Sequence, residues 1–287
     1  MNINIKFPDN SVKEYPQNVT PLEIAESISH GFAKNVVTAK VNEKLVDMDS
    51  NIKEDADINF FKFDKEIGKE VYWHSTAHLM AQAVKELYPD VKVTIGPAIE
   101  TGFYYDFDKE IPFTDEDIVK IENKMKELSK QDLKYVRREV SKEEAINIFS
   151  EMGEDYKVEL LNEIPEGEII SIYTQGTFTD LCRGPHLIDT GKIKAIKLLK
   201  TSGAYWRGDA RNKMLQRIYG ISFPSNKELN KYLHDLEEAK KRDHRRIGKD
   251  LDLYSISDDV GPGLVHWHPN GAIMRSIIER YWLDRHF

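Results

Sequence analysis

The sequence predicts an α+β protein, and three observations carry the prediction. Residues 1–62 set short period-2 runs around one helix start, residues 63–224 mix helical and strand patterns, and residues 225–248 form a strongly charged helical stretch. The length, 287 residues, fits two or three domains at roughly 100–200 residues each. A hydrophobic fraction of 40% suffices for packed cores. No apolar run approaches the roughly 20 residues needed to cross a bilayer. The opening MNINIKFPDN lacks the charged start and long apolar stretch of a secretory signal.

The elements follow in order. INIKF alternates apolar and polar residues, PDNS supplies a turn, and VKEYP a second strand. Thr20, then Pro21, with Glu23 three residues after Thr20, is a capping-box helix start. Leu22, Ile24, Ala25 and Ile28 form the buried stripe of that helix. VVTAKVN and DINFFKF add later strands, giving a β-grasp, ubiquitin-like order. With no histidine cluster and no Gly-rich phosphate loop, this module reads as an interaction domain without chemistry. Residues 65–69 read as a polar connector.

The second domain opens with a helix in VYWHSTAHLMAQAVKELY, stopped by Pro89. Strands in VKVTIGP and GFYYDFD follow, then the helix TDEDIVKIENKMKELSKQ, N-capped by Thr114 with acids in its first turn. VRREVS, a short helix around 143–149, and strands in EIISIYTQG and FTDLC complete the domain. NKELNKYLHDLEEAKKRDHRRIG predicts one charged helix with a narrow stripe of Leu229, Tyr232, Leu233 and Leu236 and a C-cap at Gly248. Such a helix either bridges domains or borders an RNA groove. From Lys249 the character changes. GAIMRSIIERYW predicts an amphipathic helix with no stop signal before Phe287, as expected of a truncated further domain.

The net charge of −8 argues weakly against nucleic acid, but its distribution does not. Residues 181–220 hold nine Lys/Arg against two acids, a local +7 that leaves −15 for the rest. Such a block is either a phosphate-backbone footprint or a solvated face. The single cysteine, Cys182, excludes an intrachain disulfide; it is either a small buried hydrophobe or a ligand or reactive thiol.

Two motifs carry the chemistry. His74 and His78 are spaced i,i+4 on a predicted helix, which puts both imidazoles on one face. Alone, that spacing is weak. TDLCRGPH adds Asp180, Cys182 and His186, with Gly184 and Pro185 turning the chain so that His186 can return to the same pocket. Three His and one Cys suit tetrahedral zinc, and equally suit activation of a water by proton transfer.

HSTAHLMAQAVKELYP with VTIGPAIETGFYYDFD, then FTDLCRGPH, then KTSGAYWRGDARNKMLQRIYG, resembles the editing domain of bacterial-type threonyl-tRNA synthetases, and more distantly the alanyl-tRNA editing domains. Residues 1–62 are similar to the TGS domain that precedes it in that family. AKKRDHRRIGKDLDLYSISDDVGPGLVHWHPNGA is similar to the family's approach to its class II catalytic domain. There His266 stands where Phe is usual and Asn270 where Lys is common.

The resemblance implies a TGS domain at 1–62, an editing domain at 63–224, a linker helix at 225–248 and the start of a class II core at 249–287. It implies that His74, His78, Cys182 and His186 are the pocket's polar cluster. Lys157 would assist water binding and catalysis, and Asp180 would hold the amino group or orient the cluster. Tyr104 and Gly96 would line the pocket for the aminoacyl group and terminal adenosine.

Threonine and serine differ by one methyl, worth only about 1–3 kcal/mol of discrimination, so a second, hydrolytic site is needed. The implied activity is therefore release of serine from mischarged threonine tRNA, with His74 as base or water orienter and Lys157 as the cation for the oxyanion. No cofactor is expected for editing. Zinc on His74, His78, Cys182 and His186 is not favoured, since the threonyl family works without it. ATP, Mg and Zn belong to a downstream ligase domain. The expected partners are the 3′ acceptor end of tRNA(Thr) and its serine or threonine ester. A cytoplasmic location, no membrane partner, a homodimeric full-length ligase and a monomeric fragment are also expected. The alternatives are a non-catalytic tRNA-binding module and a free-standing trans-editing protein.

Overall fold

The computed structural model describes every residue except 258, 260 and 262. Pro262, within GPGLVHWHPN, therefore lies outside the described residues. The chain divides into two units, Met1–Leu229 and Asn230–Phe287.

The first unit begins with β1 (Asn2–Lys6), antiparallel to β2 (Val12–Pro16). α1 (Pro21–Ile28) starts with the expected capping box between Thr20 and Glu23, worth on the order of 1 kcal/mol. α1 ends because Ser29 turns extended and caps a second short helix, α2 (His30–Asn35). Ile28 is consequently exposed, not part of the buried stripe; Pro21, Ile24 and Ala25 are the buried residues. β3 (Val36–Val41), β4 (Lys44–Val46) and β5 (Ala56–Lys62) complete a sheet ordered β2-β1-β5-β3-β4, with β1 and β5 parallel. Ile3, Ile5, Ile24, Ala39 and Ile58 form its core.

α3 (Glu66–Leu87) is the central helix. It begins at Glu66, so the expected polar connector is mostly its first turn. Strong helix formers fill it and Pro89 follows its end. It is buried on all sides rather than along one stripe: from Val71 to Val84 only His74 is not fully buried. Two of its interior polar groups bond to one residue, Trp73 Nε1 to the Ser222 carbonyl at 2.9 Å and Thr76 to the Ser222 hydroxyl at 2.7 Å.

β6 (Lys92–Val93), β7 (Ala98–Ile99) and β8 (Gly102–Asp108) follow, then α4 (Asp115–Ser129), capped by Thr114 and Asp117. β9 (Val136–Val140), α5 (Lys142–Glu151) and α6 (Asp155–Glu163) lead to β10 (Ile170–Gln175) and β11 (Phe178–Leu181). The sheet β11-β10-β9 shares a core of Ala145, Phe149, Leu161, Ile170 and Ile172 with α5 and α6. β12 (Ala195–Tyr205) and β13 (Met214–Phe223) form a long hairpin, joined through β13 to β8 and β6. α6, β12 and β13 escape the sequence pattern. α6 has only nine residues, and the hairpin's alternation is obscured by exposed charges toward its tip.

α7 (Asn226–Lys241) and α8 (His244–Asp250) replace the single expected helix. Asp243 breaks it by capping α8, its carboxylate accepting the Arg245 N–H at 2.8 Å. Gly248 lies inside α8 and is no C-cap, and of the proposed stripe only Leu229 is buried. In the second unit β14 (Tyr254–Ile256) pairs antiparallel with β15 (Val265–Trp267), followed by α9 (Pro269–His286).

Candidate functional site: a buried histidine–cysteine pocket

α3 carries His74 and His78 one turn apart, and the loop after β11 returns Cys182 and His186 to them. Their four ligand atoms lie within 4.8 Å of one another. His74 Nε2 is 2.9 Å and His186 Nε2 3.3 Å from Cys182 Sγ. The rings pack closely, with His74 and His186 stacked at 4.6 Å and His78 edge-on to His186 at 4.3 Å.

A second network abuts the first. Lys157, 2% exposed on α6, is ion-paired with buried Asp180 of β11. Tyr105 of β8 donates its hydroxyl proton to Asp180 Oδ2 at 2.7 Å and accepts from Lys157 Nζ at 3.1 Å. The same Asp180 oxygen is 3.6 Å from His78 Nε2.

Hydrogen-bond logic sets the tautomers. The Gly96 carbonyl can only accept, so His74 Nδ1 carries the proton there, at 3.3 Å, and the Nε2 lone pair faces the thiol. Ser75 Oγ donates to the Val71 carbonyl and accepts the Leu187 N–H, leaving it to accept from His186 Nδ1 at 3.1 Å. His186 Nε2 is then also a lone pair aimed at Cys182. His78 Nδ1 is buried with no partner among the described residues. Two nitrogen lone pairs, on His74 Nε2 and His186 Nε2, thus face the Cys182 thiol.

Burial enforces that state. Desolvation holds His74 below the ordinary imidazole range, against the Gly96 carbonyl and Asp180. Desolvation, and then the neighbouring imidazoles, hold His78 and His186 well below it. Burial pushes the Cys182 thiol up to about 12 and the Tyr105 hydroxyl well above its usual value. Near neutral pH the pocket offers unprotonated imidazoles, a thiol and a buried Lys157–Asp180 pair.

His74, His78, Lys157, Asp180, Cys182 and His186 are therefore brought together, and Gly96 joins through its carbonyl. A Cβ at Gly96 would lie 2.0 Å from the Tyr105 ring, so glycine is needed for β8 to approach. Tyr104 sits apart. Successive strand residues face opposite ways, so it lies across β8 from Tyr105, with the Arg217 guanidinium 3.7 Å over its ring. Sequence reasoning missed Tyr105, because adjacent tyrosines in GFYYDFD give no sign of which faces inward. It also missed Ser75 and Tyr135, which donates to the Ser75 carbonyl and stacks on His186 at 5.0 Å.

The basic block does not form a free cationic stripe. Arg183 pairs with Glu168, Lys197 with Glu122, Arg207 with Glu159 and Glu163, Arg211 with Asp209, Lys213 with Asp108 and Arg217 with Asp106. Acids distant in sequence offset most of its charge.

Fold and pocket define a β-grasp module fused to an α+β domain that holds a buried histidine–cysteine cluster. Residues 3–62 match the TGS domain, and 170–219 match the threonyl and alanyl tRNA synthetase second additional domain. Over nearly its whole length the chain is homologous to threonine–tRNA ligases. It is 54% identical over 282 residues to that of Caldanaerobacter subterraneus subsp. tengcongensis, covering 98% of this chain and 44% of the relative. It is 54% identical over 283 residues to that of Anoxybacillus flavithermus, covering 99% and 44%. With the Clostridioides difficile ligase it shares 52% identity over 284 residues, again 99% and 44%. The chain thus spans less than half the length of these relatives.

Proposed function

We propose that the pocket hydrolyses the ester linking serine to the 3′ end of threonine tRNA. One observation carries the reading: unprotonated, buried imidazoles adjoin a Lys157–Asp180–Tyr105 network, and His74 is the one central-helix residue there with solvent access. Water approaches His74 and gives a proton to an imidazole nitrogen as its oxygen attacks the ester carbonyl. The Lys157 ammonium stabilises the oxyanion, and Asp180 holds the serine ammonium. When the carbon–oxygen bond to the ribose breaks, the proton passes to the ribose oxygen, giving free serine and tRNA. Gly96 would meet the aminoacyl-adenosine end, whereas Tyr104, on the other face of β8, lies away from it. The tRNA acceptor end is the macromolecular partner.

The four donors also fit a divalent ion of zinc type, as three nitrogens and a sulfur, with the orphaned His78 Nδ1 among the candidate ligand atoms. Such an ion would supply an activated water. The relatives' name supports a second assignment for a protein of their full length, ligation of threonine to its tRNA.

The test is deacylation of serine-charged threonine tRNA, with threonine-charged tRNA as control. The chain should release serine quickly and threonine slowly, and His74→Ala should slow serine release by about 100-fold or more. Equal rates for parent and variant would refute the assignment.

A further inference from the structure

One side chain of the β-grasp module reaches the pocket's wall. Asp47 follows β4 and is only 9% exposed. Its Oδ1 accepts the backbone N–H of His186 at 2.7 Å, and its Oδ2 accepts the Tyr173 hydroxyl at 2.7 Å. Tyr173, on β10, lies edge-on to the His186 ring at 4.5 Å. Its hydroxyl also occupies the space beside Gly184, where a Cβ would fall 1.9 Å away and φ is +67°.

The chain just beyond the pocket is anchored in the same module. Ile188 packs against the β-grasp core, and Lys192 Nζ donates to the Lys34 carbonyl at 3.0 Å. In three consecutive residues, His186 faces the pocket, Leu187 N–H binds Ser75 Oγ and Ile188 enters the β-grasp core. A buried carboxylate is costly unless its oxygens are hydrogen-bonded, and both oxygens of Asp47 are bonded to the pocket's wall.

We propose that Asp47 is a positioning residue of the deacylation site, making the β-grasp module part of that site. It acts through His186 and Tyr173 and touches no substrate. This rests on the deacylation reading above. The carboxylate fixes the 182–186 loop, and with it the distances from Cys182 and His186 to His74. An Asn at 47 can still accept the His186 N–H and donate to the Tyr173 hydroxyl; an Ala can do neither.

The experiment compares Asp47→Ala, Asp47→Asn and Tyr173→Phe with the parent chain, in serine release from charged threonine tRNA and in thermal unfolding. Asp47→Ala should lower kcat roughly 10–100-fold with KM unchanged, since small misplacements of catalytic groups cost rate rather than binding. Asp47→Asn should recover most of that loss, and Tyr173→Phe should fall between. A parent-like kcat in all three variants would overturn the inference and leave the deacylation assignment standing. An inactive parent would overturn that assignment, and the inference with it. Should Asp47→Ala fail to fold, Tyr173→Phe decides: an unchanged kcat overturns the proposal.

Discussion

α3 and α9 look alike in sequence and end in opposite environments. Both are long and carry large apolar residues at helical spacing. α3 is enclosed from Val71 to Val84, with Leu79 at 0% exposure. On α9 only Gly271 is buried, and Ile273, Met274, Ile277, Ile278, Tyr281 and Trp282 are exposed, Ile277 by 65%. Periodicity identifies an apolar face; it does not say how many neighbours surround it. The polar residues differ in the same way. Those of α3 must be paired internally or serve the pocket, whereas Arg275 and Glu279 of α9 pair at the surface.

The sharpest test sets a buried ion pair beside α3, between α6 and β11, against the surface pair of α9. Lys157→Ala leaves Asp180 buried and uncompensated, and should cost roughly 3–5 kcal/mol in urea unfolding. Arg275→Ala should cost less than about 1 kcal/mol. A small loss at Lys157 would mean that water reaches the pair.

Next comes packing. Leu79→Ala should destabilise by about 2–5 kcal/mol through the lost burial and the cavity it leaves. The effect of Ile277→Ala should stay within about 0.5 kcal/mol. A large effect at Ile277 would show that α9 is covered in solution.

A smaller effect is expected from acid. His74, His78 and His186 are held below the imidazole range in the fold, so below about pH 6.5 the unfolded chain takes up protons that the folded chain refuses. Stability should be fully present above that pH and decline as pH falls. The urea midpoint should drop between neutral pH and about pH 5, and His78→Asn should flatten the drop. A midpoint independent of pH would show that the histidines are solvated.

Much of the pocket was legible because its signals are local. HxxxH placed two imidazoles on one helix face, and TDLCRGPH brought three functional groups within seven residues. Tyr105, Ser75 and Asp47 were not legible. Each matters only through a partner far along the chain: Tyr105 through Asp180, Ser75 through His186, Asp47 through His186 and Tyr173. The basic block stayed ambiguous for the same reason, since Glu122, Glu159 and Asp106 offset its charge from outside it.

By itself the sequence determined the α+β class, the β-grasp order, the capped starts of α1 and α4, and the set of residues able to do acid–base chemistry. All of these follow from interactions within a few residues: periodicity, capping and turn chemistry. Only the tertiary structure decided that α3 is enclosed and α9 exposed, which tyrosine of the 104–105 pair faces the pocket, and that a β-grasp carboxylate holds the 182–186 loop. Those outcomes depend on burial and on hydrogen bonds closed across more than a hundred residues, and no local pattern specifies which distant group will fill a given space.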